Sequence, residues 1–235
     1  MGTGLKREAA RQALRYIHSG MVLGLGTGST AGHFVDLLGQ ALRTGALHNV
    51  VGVPTSEATA ARAQEAGVPL TTLEEHPSLD VTVDGADEVD REFNLIKGLG
   101  RALLREKIVA VQTEQYVIVA DESKPVRRLG RGPLPVEIVP WAAAVTVDWL
   151  DELSGRAELW REEDGAPIVT DNGNYLARCW FGKEITGPRR LAQTLSARAG
   201  VVEHGLFVDH YPIVIVARPV GTEVVFRGDI PAWWP

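Results

Sequence analysis

Met21-Val22-Leu23-Gly24-Leu25-Gly26-Thr27-Gly28-Ser29-Thr30 is the stretch on which the architecture turns. A short apolar run passes into a glycine–hydroxyl loop, and residues 31–43 follow with Phe34, Leu37, Leu38 and Leu42 on one helical stripe. The order is strand, loop, helix. Such a loop turns backbone N–H groups and three hydroxyls toward one point at a helix N-terminus, where partial positive charge favours an anion. Glycine lets the backbone approach closely, and Ser and Thr hydroxyls add donors without adding charge. A phosphorylated small molecule is therefore the leading ligand class. Neither common nucleotide loop fits: both G-x-G-x-x-G and G-x-x-x-x-G-K-[ST] require glycine where Ser29 stands, and the second also requires lysine in place of Thr30. A plain tight βα turn with a hydroxyl cap is the competing reading of these residues taken alone.

Outward from the loop, residues 5–19 read as a helix stopped at Gly20. On the other side, 50–53 reads as a strand, and Ser56 caps a helix running to Gly67. Strand-like 70–73 and 80–83, a helix at 99–107 and a strand at 116–120 complete the first half. The alternation predicts an α/β fold, a doubly wound, mostly parallel, Rossmann-like sheet with helices on both faces. After Asp121 the pattern changes. Residues 129–135 read as a linker, followed by a strand (136–139), a helix (141–153), a hairpin around Asp171-Asn172-Gly173-Asn174 and a helix (188–199). That order predicts a smaller inserted α+β domain of the split βαβ, ferredoxin-like kind. Strands at 213–217 and 223–226 are expected to return to the main sheet, which sets domains of 1–130 with 206–235, and 131–205. The adjacent Trp233 and Trp234 are expected to dock on the chain's own core.

The net charge of −6 and pI near 5.6 argue against a nucleic-acid partner. Apolar runs such as 213–217 are too short to span a bilayer, and the first residues lack the apolar core of a secretion signal. Cys179 is the single cysteine, which leaves no internal disulfide framework and fits a reducing, cytoplasmic compartment. The thiol itself is expected to be buried and inert. The six histidines lack zinc-site spacing, so no metal site is expected, and a Ser–His–Asp triad stays open as a reading without a G-x-S-x-G elbow to hold it.

Asp84-Gly85-Ala86-Asp87 follows the strand-like 80–83, and open parallel sheets bind ligands beyond the carboxyl ends of their strands. A solvated Asx turn is the competing reading. Lys97-Gly98-Leu99-Gly100 leads toward Arg105-Glu106-Lys107, where Glu106 lies three and four residues after Leu103 and Ala102 and so shares their face. A carboxylate at the edge of an apolar face has its charged form disfavoured, as a general base requires. The alternative is a surface glutamate paired with its neighbours. Lys124 follows a further strand and is a candidate for the same crevice.

Taken in order, Gly24 to Thr30, Asp84-Gly85-Ala86-Asp87-Glu88, Lys97-Gly98-x-Gly100 and Leu104-Arg105-Glu106-Lys107 resemble the type A ribose-5-phosphate isomerases. Ala120-Asp121-x-Ser123-Lys124, Leu134-Pro135-Val136-Glu137, Thr170-Asp171-Asn172-Gly173-Asn174 and the segment from Gly200 through Gly205-Leu206-Phe207 extend the resemblance over nearly the whole chain. It implies an isomerase that interconverts D-ribose 5-phosphate and D-ribulose 5-phosphate in the non-oxidative pentose phosphate pathway. It also implies no cofactor or metal, and a homodimer or homotetramer. By the same resemblance Thr27, Gly28, Ser29, Thr30, Asp84, Gly85, Ala86, Asp87, Lys97, Gly98, Leu99, Gly100 and Lys124 contact the sugar phosphate, and Glu106 is the base. Within that frame Asp84 is expected to move the ring-opening proton, Lys97 to stabilise the enediolate oxygen and Asp87 to orient hydroxyls. One departure stands out: the family reads Lys-Gly-Gly-Gly-Ala, whereas this chain has Leu99 and Arg101 in place of the middle glycine and the alanine. A sugar-phosphate sensor is the alternative function, but no basic helix-turn-helix accompanies the loop and a sensor has no use for Glu106. A nucleotide-dependent oxidoreductase fails on the missing third glycine.

Overall fold

Apolar runs without period-two alternation become strands buried on both faces, and the short ones between glycines become the centre of the molecule's main sheet. The computed structural model describes residues 2–182 and 184–235. In chain order it holds α1 (Gly2–Ala13), β1 (Val22–Leu25), α2 (Ser29–Arg43), β2 (Val51–Pro54), α3 (Glu57–Ala66) and β3 (Leu79–Gly85). Next come β4 (Glu88–Val89), β5 (Leu95–Ile96), α4 (Leu103–Val111), β6 (Thr113–Asp121), β7 (Leu134–Ile138), α5 (Ala143–Ser154) and β8 (Ala157–Leu159). The last elements are β9 (Tyr175–Cys179), α6 (Pro188–Ser196), β10 (Val201–His204), β11 (Leu206–Phe207), β12 (Ile213–Arg218) and β13 (Gly221–Val225).

The first of two units contains the residues up to Ala86, Arg105–Lys124 and His210–Trp233. Its six-stranded sheet has the order β13-β12-β6-β3-β1-β2. All neighbours run parallel except the edge strand β13, which pairs antiparallel with β12. On one face Leu23, Leu25, Val81, Val83, Val117 and Ile215 pack with Ala9 and Ala13 of α1 and Phe34 and Leu38 of α2. A second cluster joins Val53 and Leu79 to Val109 of α4. Gly24 makes that approach possible, because a Cβ there would lie 2.0 Å from Thr82 Oγ1 and 2.6 Å from Val109 Cγ1. The doubly wound α/β sheet read from the sequence is present, and β12 and β13 do return to it.

The second unit contains Asp87–Leu104, Pro125–Asp209 and Trp234–Pro235. β7-α5-β8-β9-α6-β10 forms an antiparallel sheet of order β10-β7-β9-β8, the split βαβ arrangement. Leu134, Val136, Ile138, Ala177, Cys179, Leu150 and Leu195 fill its core. Burial pushes the Cys179 thiol up to about 12, so at neutral pH it is a packing residue. A small sheet of order β11-β5-β4 completes the unit.

Several elements differ from the sequence reading. The unit bounds depart from 1–130, 131–205 and 206–235 at 87–104, 125–130, 206–209 and 234–235. The reason is that β4 and β5 pair with each other and with β11, not with the large sheet. The strand expected at 70–73 is a single bridge between Leu70 and Gly52. The first helix ends at Ala13 and passes into a 3₁₀ turn, Leu14–Tyr16. The helix expected from residue 99 starts at Leu103, because a turn closed by Arg101 N–H donating to Gly98 O (2.9 Å) precedes it. The stretch read as a linker wraps a buried carboxylate: Glu88 accepts from the N–H groups of Gly130 (2.8 Å), Arg131 (3.3 Å) and Gly132 (2.6 Å). The tail docks as expected, with Trp234 stacked on Phe93 at 5.9 Å and its Nε1–H donating to Val126 O. Among the described residues no helix is long and apolar enough to cross a membrane.

Candidate active site

β1 delivers the chain into the glycine–hydroxyl loop. Gly28, at φ +104°, turns it into α2 without a side-chain cap. The first-turn N–H groups of Ser29, Thr30 and Ala31 therefore have no acceptor within the helix, and they carry the positive end of its dipole. Ser29 Oγ accepts from Lys6 Nζ at 2.8 Å, which brings a cation from α1 to the same helix end. Thr30 is buried, and its hydroxyl makes no hydrogen bond among the described residues.

Thr27 behaves differently from its neighbours. Its Oγ1 lies 2.7 Å from Thr55 Oγ1, 2.9 Å from Ser56 Oγ and 3.2 Å from Thr59 Oγ1. Thr55 Oγ1 in turn donates to Leu25 O, and Thr59 Oγ1 to Gly26 O. Ser56 caps α3, accepting from Thr59 N at 3.0 Å, as the sequence predicted. One hydroxyl cluster thus ties the start of α3 to the loop, and the Thr27 side chain is committed inside it.

Asp84 lies at the carboxyl end of β3 and is fully buried. Its Oδ1 accepts from Gly85 N (2.7 Å) and Thr27 N (3.2 Å), and Tyr116 Oη donates to Oδ2 at 3.4 Å. A buried carboxylate needs such donors, since desolvation without them is costly. Gly26 leaves room for it: a Cβ at that position would sit 2.2 Å from Asp84 Oδ1. A Cβ at Gly85 would meet only Thr27 O at 3.9 Å, so the backbone beside Asp84 faces open space. Ala86 is half-buried.

Glu106 occupies the first turn of α4 and is 3% exposed, while Arg105 beside it reaches out to Glu57 at 2.8 Å. An acid in the first turn is favoured by the helix dipole even where it is withdrawn from water. Lys124 follows β6; its N–H donates to Asp121 O in a turn, and its half-buried ammonium has no partner among the described residues.

In the second unit the small sheet acts as a platform. Asp87 enters β4, Lys97 leaves β5, and Asp87 N–H donates to Ile96 O at 2.8 Å. Asp87 Oδ2 accepts from Leu99 N at 2.9 Å. Lys97 is 2% exposed; its N–H donates to Gly205 O at 2.9 Å and its Nζ stands 5.5 Å over the Phe207 ring. Gly98 is buried at φ +109°, where a Cβ would press on Leu103 and Pro135. Leu99 and Gly100 are exposed. Leu99 adopts negative φ; the left-handed positions in this loop are Gly98 and Arg101, at φ +68°. Leu99 in place of glycine therefore brings no backbone strain, while Arg101 takes a left-handed conformation that is unfavourable for any residue with a Cβ. On the hairpin joining β4 and β5, burial raises the Asp90 carboxyl above its usual range, and bonds from Asn94 and Glu92 oppose the shift. No group of three His, Cys, Asp or Glu is disposed to hold a metal ion among the described residues.

Sequence reasoning passed over Lys6, the hydroxyls of Thr55 and Thr59, and the supporting roles of Gly205 and Phe207; Ser56 was read as a cap but not as a partner of Thr27. Gly205 and Phe207 carried a signal as part of a quoted motif. Lys6 reaches Ser29 through the packing of α1 on α2, which no local pattern announces.

Comparison with known proteins bears on this arrangement. The sequence profile of the family described as ribose 5-phosphate isomerase A (phosphoriboisomerase A) matches residues 51–221. A ribose-5-phosphate isomerase A from Roseiflexus castenholzii is 50% identical over 217 residues, covering 92% of each chain. A solved D-ribose-5-phosphate isomerase in complex with phospho-erythronic acid superposes with a TM-score of 0.91 at 38% identity, covering 95% of this chain and 98% of that one. The enzyme from Methanocaldococcus jannaschii gives a TM-score of 0.90 at 36% identity, over 96% of this chain and 100% of its own.

Proposed function

The chain belongs to the ribose 5-phosphate isomerase A family and interconverts D-ribose 5-phosphate and D-ribulose 5-phosphate; from that premise we propose that Glu106 carries the transferred proton. The supporting observation is a carboxylate 3% exposed in the first turn of α4, five residues beyond the loop that ends at Arg101. In the forward direction Glu106 removes the proton from C2, and the electron pair forms the C1–C2 double bond of an enediolate. Charge collects on the C1 oxygen, which Lys97 stabilises. The same carboxylic acid returns the proton to C1 while the C2 hydroxyl passes its own proton to the C1 oxygen, so that C2 becomes the carbonyl and C1 carries the hydroxyl of the ketose. One carboxylate thus serves both transfers.

Asp84, held by three donors, moves the proton in ring opening, and Asp87 orients sugar hydroxyls. Gly85, Ala86, Gly98, Leu99 and Gly100 present backbone to the sugar. Gly28, Ser29, Thr30 and Lys124 take the phosphate, and Lys6 adds a cation to that end. Thr27 contributes its backbone while its hydroxyl holds the loop. A phosphorylated aldonic acid, the ligand class of the solved relative, presents a planar carboxylate beside a hydroxylated chain, as a 1,2-enediolate does. The protein acts without an organic cofactor or metal, in the cytoplasm, as a homodimer or homotetramer; the family resemblance supports these readings.

Glu106→Gln tests the assignment. It keeps size and most hydrogen bonding but cannot accept the C2 proton, so kcat falls by about 10²–10⁴ with a modest change in KM. The readout is ketopentose phosphate formed from ribose 5-phosphate without added metal. A Glu106→Gln protein that turns over near the parent rate transfers the role to Asp84 or Asp87.

A further inference from the structure

Arg101 stands where the sugar loop ends, in a left-handed conformation (φ +68°) unfavourable for a residue with a Cβ. Its backbone N–H closes the turn on Gly98 O at 2.9 Å. Its guanidinium makes two parallel bonds to Glu162, Nη1 to Oε1 at 2.5 Å and Nη2 to Oε2 at 3.1 Å. It also lies 5.5 Å from the Trp160 ring centroid, which Arg178 approaches at 5.1 Å. Trp160 is in turn fixed to the four-stranded sheet: its N–H donates to Leu176 O at 2.7 Å, and its carbonyl accepts from Ile168 N at 3.0 Å. Glu162 sits on the adjoining hairpin, paired through its backbone with Ala166 and Gly165. Arg101 therefore ties a loop with an exposed tip to residues hydrogen-bonded to the four-stranded sheet and its adjoining hairpin. On its other flank the same loop is tied by Leu99 N–H donating to Asp87 Oδ2.

We propose that Arg101 is a positioning residue, a latch that through Glu162 and Trp160 holds residues 97–100 in the form that accepts the sugar. The proposal rests on the reading of that loop as a substrate loop. Lys97 and Gly98 are buried, whereas Leu99 is 40% exposed and Gly100 and Arg101 are exposed too, so the latch acts on the tip of the loop and not on its base. Without it the loop samples many conformations, and apparent affinity falls by the fraction that remains competent. Saturating substrate restores the competent form, which leaves turnover in place. A latch therefore shows itself in KM and not in kcat.

The experiment compares steady-state kinetics on ribose 5-phosphate for Arg101→Ala, Glu162→Gln and Asp87→Ala. Arg101→Ala raises KM by about fivefold to tenfold, from the combined loss of a bidentate ion pair and a cation–π contact, with kcat within about twofold of the parent. Glu162→Gln keeps the contact with Trp160 and raises KM by only about twofold to threefold. Hydrogen–deuterium exchange of the peptide spanning 97–101 quickens in the same order. Should Arg101→Ala fail to fold, the Glu162→Gln shift and its exchange rate carry the test. An unchanged KM in Arg101→Ala, with catalysis impaired in Asp87→Ala, overturns the latch and leaves the substrate loop standing. Unchanged kinetics in both overturn the substrate-loop reading and the latch with it. A fall in kcat matching the rise in KM also overturns the latch, since Arg101 would then act in turnover.

Discussion

In the first unit the loop at 26–30 is held from within, by Asp84 accepting from Thr27 N and by the hydroxyls of Thr55, Ser56 and Thr59 converging on Thr27 Oγ1. In the second unit the loop at 97–101 is held at its rim, its base anchored through Lys97 N–H to Gly205 O and its exposed tip by Asp87 and Arg101. Both loops use glycine for close backbone approach, yet only the first is enclosed by buried polar partners. On the proposed assignment the first loop takes the phosphate, which is the same at every turnover and suits a preformed cradle, and the second takes a sugar that must open its ring and change hybridisation, which suits a loop whose tip can adjust.

The largest effects come from filling the space that each loop's base requires. Gly26→Ala places a Cβ 2.2 Å from Asp84 Oδ1, and Gly205→Ala places one 2.1 Å from Lys97 O. Each is expected to cost about 1–3 kcal/mol or more by overpacking, read as a fall in Tm with loss of kcat/KM. Equal losses in the two variants sharpen the contrast by confining it to the tips. A silent Gly205→Ala breaks it, because the second loop would then be loose at its base as well.

A smaller effect separates two hydroxyls of one loop. Thr27→Val leaves Thr55, Ser56 and Thr59 without a shared partner, a penalty of about 1–3 kcal/mol that chemical denaturation measures. Ser29→Ala removes an exposed hydroxyl bonded to Lys6; stability holds while KM for ribose 5-phosphate rises more than kcat falls. If Ser29→Ala loses stability and Thr27→Val does not, the assignment of structural and ligand-facing roles is reversed.

The smallest effect lies at the tip of the second loop. Leu99 has ordinary φ and is 40% exposed, so Leu99→Gly is expected to lower stability by less than about 1 kcal/mol through added chain entropy. Ratios of kcat/KM between ribose and arabinose 5-phosphates should stay as in the parent. A changed ratio would make Leu99 part of the sugar pocket and give the exposed tip a part in selectivity.

Much of the fold was legible because burial imposes periodicity over windows of five residues or more. β1, β3, β6 and β12 are apolar runs, Ser56 and Gly67 bracket α3 as cap and left-handed stop, and the split βαβ order is readable in the second half. β4, β5 and β11 have two residues each, too few to show any period, and their omission misplaced the boundary around 87–104. In the candidate site, the burial of Glu106 was legible from its spacing against Leu103 and Ala102. The latch was not, because Arg101 and Glu162 are 61 residues apart and nothing local in either announces the other.

By itself the sequence determined which segments are strands and helices, which loops carry glycine and hydroxyl chemistry, and which family motifs stand in what order. All of these depend on neighbours within a few positions along the chain. Only the tertiary structure decided that Thr27 faces inward while Ser29 meets Lys6, that Glu88 sits among the N–H groups of residues 130–132, and that Arg101 takes a left-handed conformation. Hydrogen bonds and ion pairs of that kind form between groups far apart in sequence, and their partners are selected by packing and desolvation, which local sequence patterns do not encode.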